Sequence, residues 1–324
     1  MKIGSDASKT NISQVSIICL CYNHGNFVKK AIASVLSQNY ANIQLIVVND
    51  ASSDDSHTKI LEILPTQHRY IKHEQNQGMC KSFNEALSYA TGKYIIDLAA
   101  DDILLPHKVS TQVNAFENLP ENYGVVFSDA YLVLEDGRKQ GTFYERDKSG
   151  KILKKVPSGD VFKAILQEYI VCSPTIMVKK VLFEELGGYD PNLVYEDYDF
   201  FVRSSRNWFY HFIDEPLMIR TIVHSSDSSK FYLPQNQHLV STLAVQKKAQ
   251  KLIKSKEESQ SLAVWTRYFI RQCFFTHHWQ LGQQFGNLLA EIDRVDWLSR
   301  CFLMLCKTKI KTNILYRMYV RRRW

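Results

Sequence analysis

The 324-residue chain is predicted to be an α/β protein: a mostly parallel sheet flanked by helices, followed by a helical C-terminal subdomain. Three observations predict this. The apolar runs VSIICLC (15–21), IQLIVV (43–48) and YII (94–96) are short and continuous, as strands buried on both faces are. Helical patterns alternate with them through short polar links, which is the signature of a parallel sheet covered by helices. Beyond about residue 235 only helical patterns remain, with few Gly or Pro.

The elements follow in order. Strand 15–21 meets a polar elbow, Tyr22-Asn23-His24-Gly25-Asn26. A helix from about Phe27 to Gln38 then places Val28, Ile32, Val35 and Leu36 on one face. Strand 43–48 ends in Asn49-Asp50, and ASSDDS leads into a helix carrying Ile60, Leu61 and Leu64. A short strand near Tyr70–Ile71 runs into the loop Asn76-Gln77-Gly78. Met79, Phe83, Ala86, Leu87 and Ala90 recur at helical spacing up to Gly92. The strand from Tyr94 ends in Asp101-Asp102, and Pro106 lets a new helix begin. From about residue 123 come a strand, a hairpin at Asp136-Gly137 and a polar, basic loop over 145–158. A helix near 159–169, a strand in VCSPTIMV and a helix over 179–186 ending at Gly187-Gly188 follow. PNLVYEDYDFFVRSSR reads as a loop entering a helix, and strands near 209–213 and 217–223 end in His224-Ser225-Ser226.

Composition narrows the classes. Hydrophobic residues at 45% and charged residues at 23% are ordinary for a soluble globular protein. The seven cysteines are odd in number and form no C-x-x-C, so neither a disulfide framework nor a zinc site is expected. Free thiols in a reducing compartment fit better. MKIGSDASKTNISQ lacks the apolar core of a signal peptide, and no stretch of about 18 apolar residues offers a membrane span. The net charge of +7 hides an asymmetry: residues 230–324 carry 17 Lys and Arg against 5 Asp and Glu, whereas residues 1–229 carry 23 against 28. The expected division is a tail over 1–14, an α/β domain over 15–229 and a basic helical region over 230–324.

Right-handed crossovers align the carboxyl ends of these strands on one edge, where open α/β sheets form their ligand crevice. The elbow, Asp50, loop 76–78 and Asp101-Asp102 converge there. Adjacent carboxylates repel and need a cation, hydrogen bonds or water. Mg²⁺ and similar hard cations bind through one or two such carboxylates plus substrate phosphates. For an isolated Asp pair, a solvated turn capping the next helix is the favoured reading.

Several motifs in order carry a resemblance. VSIICLCYNHGNFVKKAIASVLSQNY, IQLIVVNDASSDDS, NQGMCKSFNEALSYATGKYI, LAADDILLPHKVSTQV, LGGYDPNLVYEDYDFFVR and RTIVHSSDS together resemble the inverting, nucleotide-sugar-dependent glycosyltransferases of family 2, with a GT-A fold. The resemblance covers the first 229 residues. It implies that Tyr22 and Asn23 flank the nucleobase and ribose, and that Asp50 binds base or ribose. Asn76, Gly78, Lys81 and Asp102 belong to the implied donor-binding set, Gly78 because only glycine cheaply admits close backbone approach. Asp101 is the implied ligand of Mn²⁺ or Mg²⁺, with His224 completing the shell or touching phosphate. The family pattern is commonly Asp-x-Asp-Asp, but its first position here is Ala99. Asp97 shares that face of the strand yet lies about 7 Å further back. Asp197, beside Glu196, occupies the base position of the family's Glu-Asp motif. A helix's first turn also attracts acidic residues through the macrodipole.

The resemblance further implies a nucleotide-sugar donor, expected to be UDP-linked, and a glycan or lipid-linked glycan acceptor in surface polysaccharide (O-antigen or capsule) biosynthesis. Its implied location is cytoplasmic or peripheral on the inner face of the plasma membrane. The basic, aromatic C-terminus, above all ILYRMYVRRRW (314–324), suits an anionic membrane surface; no nucleic-acid motif accompanies the charge. Two alternatives come from other classes. A sugar nucleotidyltransferase needs a Gly-rich, Arg-containing phosphate loop after the first strand, which CYNHGNF does not supply. A non-catalytic nucleotide-sugar binder finds its best argument in Ala99.

Overall fold

The computed structural model describes residues 12–223, 227–313 and 316. Four parallel strands form one half of the sheet: β1 (Val15–Cys21), β2 (Ile43–Asn49), β3 (Arg69–Lys72) and β4 (Tyr94–Ala99). Their crossovers run through α1 (Val28–Leu36), α2 (Ser56–Ile63) and α3 (Met79–Ser88). Every residue of β1 but Leu20 is buried, as its unbroken apolar run requires. In α1 the buried Val28, Ala31, Ile32 and Val35 recur at helical spacing and fix the face turned to the sheet.

The other half mixes parallel and antiparallel pairings. After the short β5 (Ile103–Leu104) and α4 (Lys108–Glu117) come β6 (Tyr123–Leu134) and its hairpin partner β7 (Lys139–Thr142). The chain continues through α5 (Phe162–Gln167), β8 (Met177–Lys179), α6 (Lys180–Leu186), α7 (Asp197–Ser204) and β9 (Phe209–Ile222). The strand order is β3-β2-β1-β4-β8-β6-β9-β5. β8 pairs antiparallel with both β4 and β6, so this three-residue strand alone runs against them, and β6 and β9 resume the direction of β4. Two separate strands were expected in 209–223; they are one, interrupted near Asp214–Pro216, where the register against β6 slips. Pro216 cannot donate to a ladder, which suits an irregularity.

Phe83, Phe162, Phe183 and Phe200 pack one face of the sheet, and Val28, Ile32, Val113 and Phe116 the other. The C-terminal region is helical as expected: α8 (Gln237–Leu252), α9 (Lys256–Phe275), α10 (Trp279–Ile292) and α11 (Trp297–Thr308). Val245, Ala249 and Leu262 join the main core, while Leu239, Ile270, Phe285 and Leu289 build a smaller one among the helices. Lys248 reaches Asp190 at 2.6 Å and Asp199 at 2.7 Å, and Arg206 meets Glu258 at 2.8 Å. These partly buried pairs pin the helices beside the 188–199 segment.

Candidate active site

The carboxyl ends of β1, β2 and β4 open into a cleft of about 1280 Å³. Its first wall is the elbow. Asn23 takes the left-handed conformation (φ 55°), which Asn tolerates better than most residues. Its side-chain oxygen accepts from Ser53 N at 2.8 Å, and its own amide donates to Ser52 Oγ at 2.9 Å. Gly25 N donates to Asp54 Oδ2 at 2.8 Å. The elbow is thereby fastened to the loop after β2, leaving Tyr22 half exposed at the rim. The turn after β2 is closed by Asn49, whose Oδ1 accepts from Ser52 N at 3.0 Å; Asp50 is left for another task.

Asp50 holds the 76–78 loop. Its Oδ1 accepts from Gln77 N and its Oδ2 from Gly78 N, both at 2.9 Å, and its carbonyl accepts from Asn76 Nδ2 at 3.2 Å. Gly78 sits at φ 84°, ψ 155°, a region open essentially to glycine alone. The space beside its Cα is empty, so conformation rather than crowding demands glycine. His73 Nδ1 lies 2.7 Å from Asp50 Oδ1 and Nε2 2.9 Å from Glu85. Burial lowers this imidazole's pKa, but the hydrogen bonds to Asp50 and Glu85 outweigh it and raise the pKa overall. His73 is a missed residue: nothing in YIKHEQ marks a partner 23 positions away.

Of the aspartate pair only Asp101 lines the cleft. His24 Nδ1 faces it, 4.0 Å from Asp101 Oδ1, with no hydrogen-bond partner among the described residues. Asp102 turns the other way: its amide donates to Ala99 O at 3.0 Å and its Oδ1 accepts from Thr221 N at 2.8 Å. Burial foremost, then the charge of Asp101, push Asp102 up to about 8, against the Thr221 amide and the Arg220 charge. Ala99 is exposed in the cleft. Asp97 also lines it, accepting from Tyr189 Oη at 3.2 Å, and burial raises its pKa to about 7.

Opposite stands the start of α7. Glu196 and Asp197 both line the cleft. Tyr169 Oη donates to Asp197 Oδ2 at 2.5 Å, and Asp197 Oδ1 accepts from Tyr198 N at 2.6 Å. Burial raises the Asp197 pKa, opposed by the Tyr169 and Tyr198 hydrogen bonds and by the positive charge of Arg220. Asp199, one helical step away, is spent on structure: it is buried and bonded to Arg203 and Lys248. The far end of the cleft is aromatic, with Phe231, Trp265 and Tyr268 reaching in from the C-terminal region. Sequence reading assigned those helices no part in the site.

Of the other expected site residues, Asn23, Asn76 and Gly78 line the cleft, but Lys81 does not. It is exposed because Cys80, Ser82, Phe83 and Ala86 take the buried side of α3. His224 and most of 314–324 lie outside the described residues, which contain no group of three metal-ligating side chains. A pH effect on stability follows from the buried acids. Asp97 and Asp102 bind their protons more tightly in the fold than at the ordinary value of 3.8. The unfolded chain therefore releases protons first, and stability falls as pH rises from about 4 to about 8. Asp102→Asn keeps a side-chain oxygen for Thr221 and should flatten that decline in melting temperature; an unchanged slope would rule out the assignment.

The parallel half-sheet continued by a mixed half, with helices on both faces and a helical C-terminal region, is a GT-A-type arrangement. A family model described as Glycosyl transferase family 2 matches residues 16–187, more than half of the sequence. The chain belongs to glycosyltransferase family 2 and is a glycosyltransferase. An uncharacterized glycosyltransferase of Rickettsia prowazekii is 29% identical over 222 residues, covering 68% of this chain and 67% of that protein. The chain spans only 34% of a Rickettsia bellii relative. WfgD of Escherichia coli, a UDP-Glc:alpha-D-GlcNAc-diphosphoundecaprenol beta-1,3-glucosyltransferase, is 33% identical over 147 residues, 45% of this chain and 57% of its own. Staphylococcus aureus TarS, solved with UDP, superposes with a TM-score of 0.64 at 17% identity, covering 94% of this chain and 89% of that one. The Pyrobaculum calidifontis mannosyltransferase PcManGT, solved with GDP-Man and Mn²⁺, gives 0.56 at 15% identity, covering 96% of this chain and 88% of that one. Likenesses this distant carry the fold alone.

Proposed function

We propose that the enzyme transfers a sugar, with inversion, from UDP-sugar to a glycan or lipid-linked glycan of a surface polysaccharide, working at the inner face of the plasma membrane. The observation that carries the reading is that Asp101 and Asp197 line one cleft whose other end holds the Asp50-caged loop. The acceptor hydroxyl gives its proton to Asp197 as its oxygen bonds to the anomeric carbon. The carbon–oxygen bond to the diphosphate breaks and the electron pair leaves with the nucleotide. Glu196 stands beside the acceptor, while Tyr22, Asn23, Asp50, Asn76 and Gly78 form the nucleotide end. The donor set fits a divalent cation held chiefly by substrate: the one carboxylate that the turn after β4 turns into the cleft, Asp101, with His24 facing it, suits an ion completed by phosphates and water. Bound there, Mn²⁺ or Mg²⁺ would neutralise the departing diphosphate. The UDP-linked donor and the lipid-linked acceptor draw support from the activity in the name of WfgD.

A thermal-shift screen tests the donor. UDP with Mn²⁺ should raise the melting temperature by several degrees, since ligand at a hundred times its Kd adds about 2.7 kcal/mol. No shift with UDP, against a clear one with GDP, would overturn the nucleotide assignment. A second reading, donor binding without turnover, is favoured by the exposed Ala99. Binding without transfer across a broad acceptor panel would select it.

A further inference from the structure

Helix α11 is firmly mounted yet shows an apolar stripe to solvent. Its start is tied down by Asp296, whose carboxylate caps Ser299 N at 3.0 Å and pairs with Arg267 Nε at 2.9 Å. Its inner face sits close on α10. A Cβ at Gly282 or Gly286 would come within 3.1 Å of Cys306 Sγ or 2.8 Å of Leu303 Cδ2. The outer face carries Trp297, Cys301, Met304 and Thr308, spaced four, three and four residues apart, with Leu305 alongside. Trp297 is 74% exposed and Met304 68%, and Ile310 just beyond the helix is 52% exposed. Arg300, Lys307, Lys309 and Lys311 are exposed around this stripe. Across residues 297–324 the sequence has eight Lys and Arg and no Asp or Glu.

The geometry points to α11 as a helix that lies in the headgroup region of an anionic phospholipid bilayer, its Trp297–Met304 stripe inserted and its basic rim on the lipid phosphates. An exposed apolar face beside a rim of basic residues is what such interfaces recognise. The charge argues against a second copy of the chain, because two such surfaces would oppose the four positive charges of Arg300, Lys307, Lys309 and Lys311 on each. No described helix is long and apolar enough to cross a membrane, so the contact is with one leaflet. The inference deepens the membrane-side part of the proposed function. Its test contains neither donor nor acceptor, so its failure leaves the transfer reading standing.

The full chain is sedimented with phosphatidylcholine vesicles with and without phosphatidylglycerol. Wild type should pellet with the anionic vesicles, be released by salt and ignore the neutral ones. Trp297→Ser with Met304→Ser should weaken partitioning about tenfold or more at an unchanged melting temperature. Should that variant melt early, Lys307→Glu with Lys311→Glu reads the same surface through its charge and should lose binding too. Equal binding to neutral vesicles, no binding to either, or variants that bind like wild type overturn the inference. So does a concentration-dependent dimer that the serine variant abolishes.

Discussion

Asp197→Asn should lower the rate of sugar transfer by a factor of about 10²–10⁴, the usual contribution of a positioned general base, while donor binding by thermal shift changes little. The argument rests on where Asp197 stands and on how it is held. Its Oδ2 is fixed by the Tyr169 hydroxyl and its Oδ1 by the Tyr198 amide. Asparagine keeps the side chain's size and one oxygen but cannot accept a proton, so the loss should appear in kcat rather than in KM. Full transfer by the variant would refute the assignment. The neighbouring acids provide the contrast: Asp199→Asn should act through stability, because Asp199 is buried against Arg203 and Lys248.

The pH profile gives an independent reading. Burial raises the Asp197 pKa, so the acid limb of kcat should lie above the ordinary carboxylate range. Only the ionised form accepts a proton, so activity rises with pH through that limb. Tyr169→Phe removes a hydrogen bond that favours the carboxylate. The pKa then climbs further, and the acid limb should move to higher pH. Movement to lower pH, or none, would place the titration on another group.

What sequence reading reached and what it missed have separate physical causes. Strands β1, β2 and β4 were legible because a strand buried on both faces is an unbroken apolar run, and the links after them carried the elbow, Asp50 and loop 76–78. β8 was blurred because three residues have no period to read, and VCSPTIMV joins a tight turn to a strand. The residue types at the nucleotide end were readable, but their partners were not. Asp50 looked like a ligand group, whereas its oxygens also close the Gln77–Gly78 loop and meet His73, contacts 23 to 28 residues away in sequence. Phe231, Trp265 and Tyr268 were hidden for a similar reason: a helical pattern gives the buried face of a helix, not which cavity that face borders. The Asp101-Asp102 pair was readable as a site, yet its two members point to different surroundings. Both sit in the turn after β4, where no strand alternation applies, and Asp102 is drawn aside by the Thr221 amide, 119 residues away in sequence.

That separation supplies the second large effect. Asp101→Asn should cut transfer by about 10²–10³, the scale on which losing one preorganised charge-stabilising group acts, and should raise the Mn²⁺ concentration needed for half-maximal rate. Asp102→Asn should leave transfer within a few fold, since its oxygen is committed to Thr221 N. Asp102, its pKa raised to about 8 by burial, carries little charge near neutral pH, so its substitution controls for packing and hydrogen bonding at this turn rather than for charge. Only Asp101 lines the cleft, with Ala99 in place of a second carboxylate and His24 facing it. With so few protein ligands, the asparagine variant's lost rate should be partly restored by high Mn²⁺ when donor is saturating, because the phosphates supply much of the shell. Equal losses at 101 and 102 would mean that the pair acts as a unit. An Asp101→Asn variant with wild-type rate and metal dependence would move the cation elsewhere in the cleft, with Asp97 the next carboxylate to test.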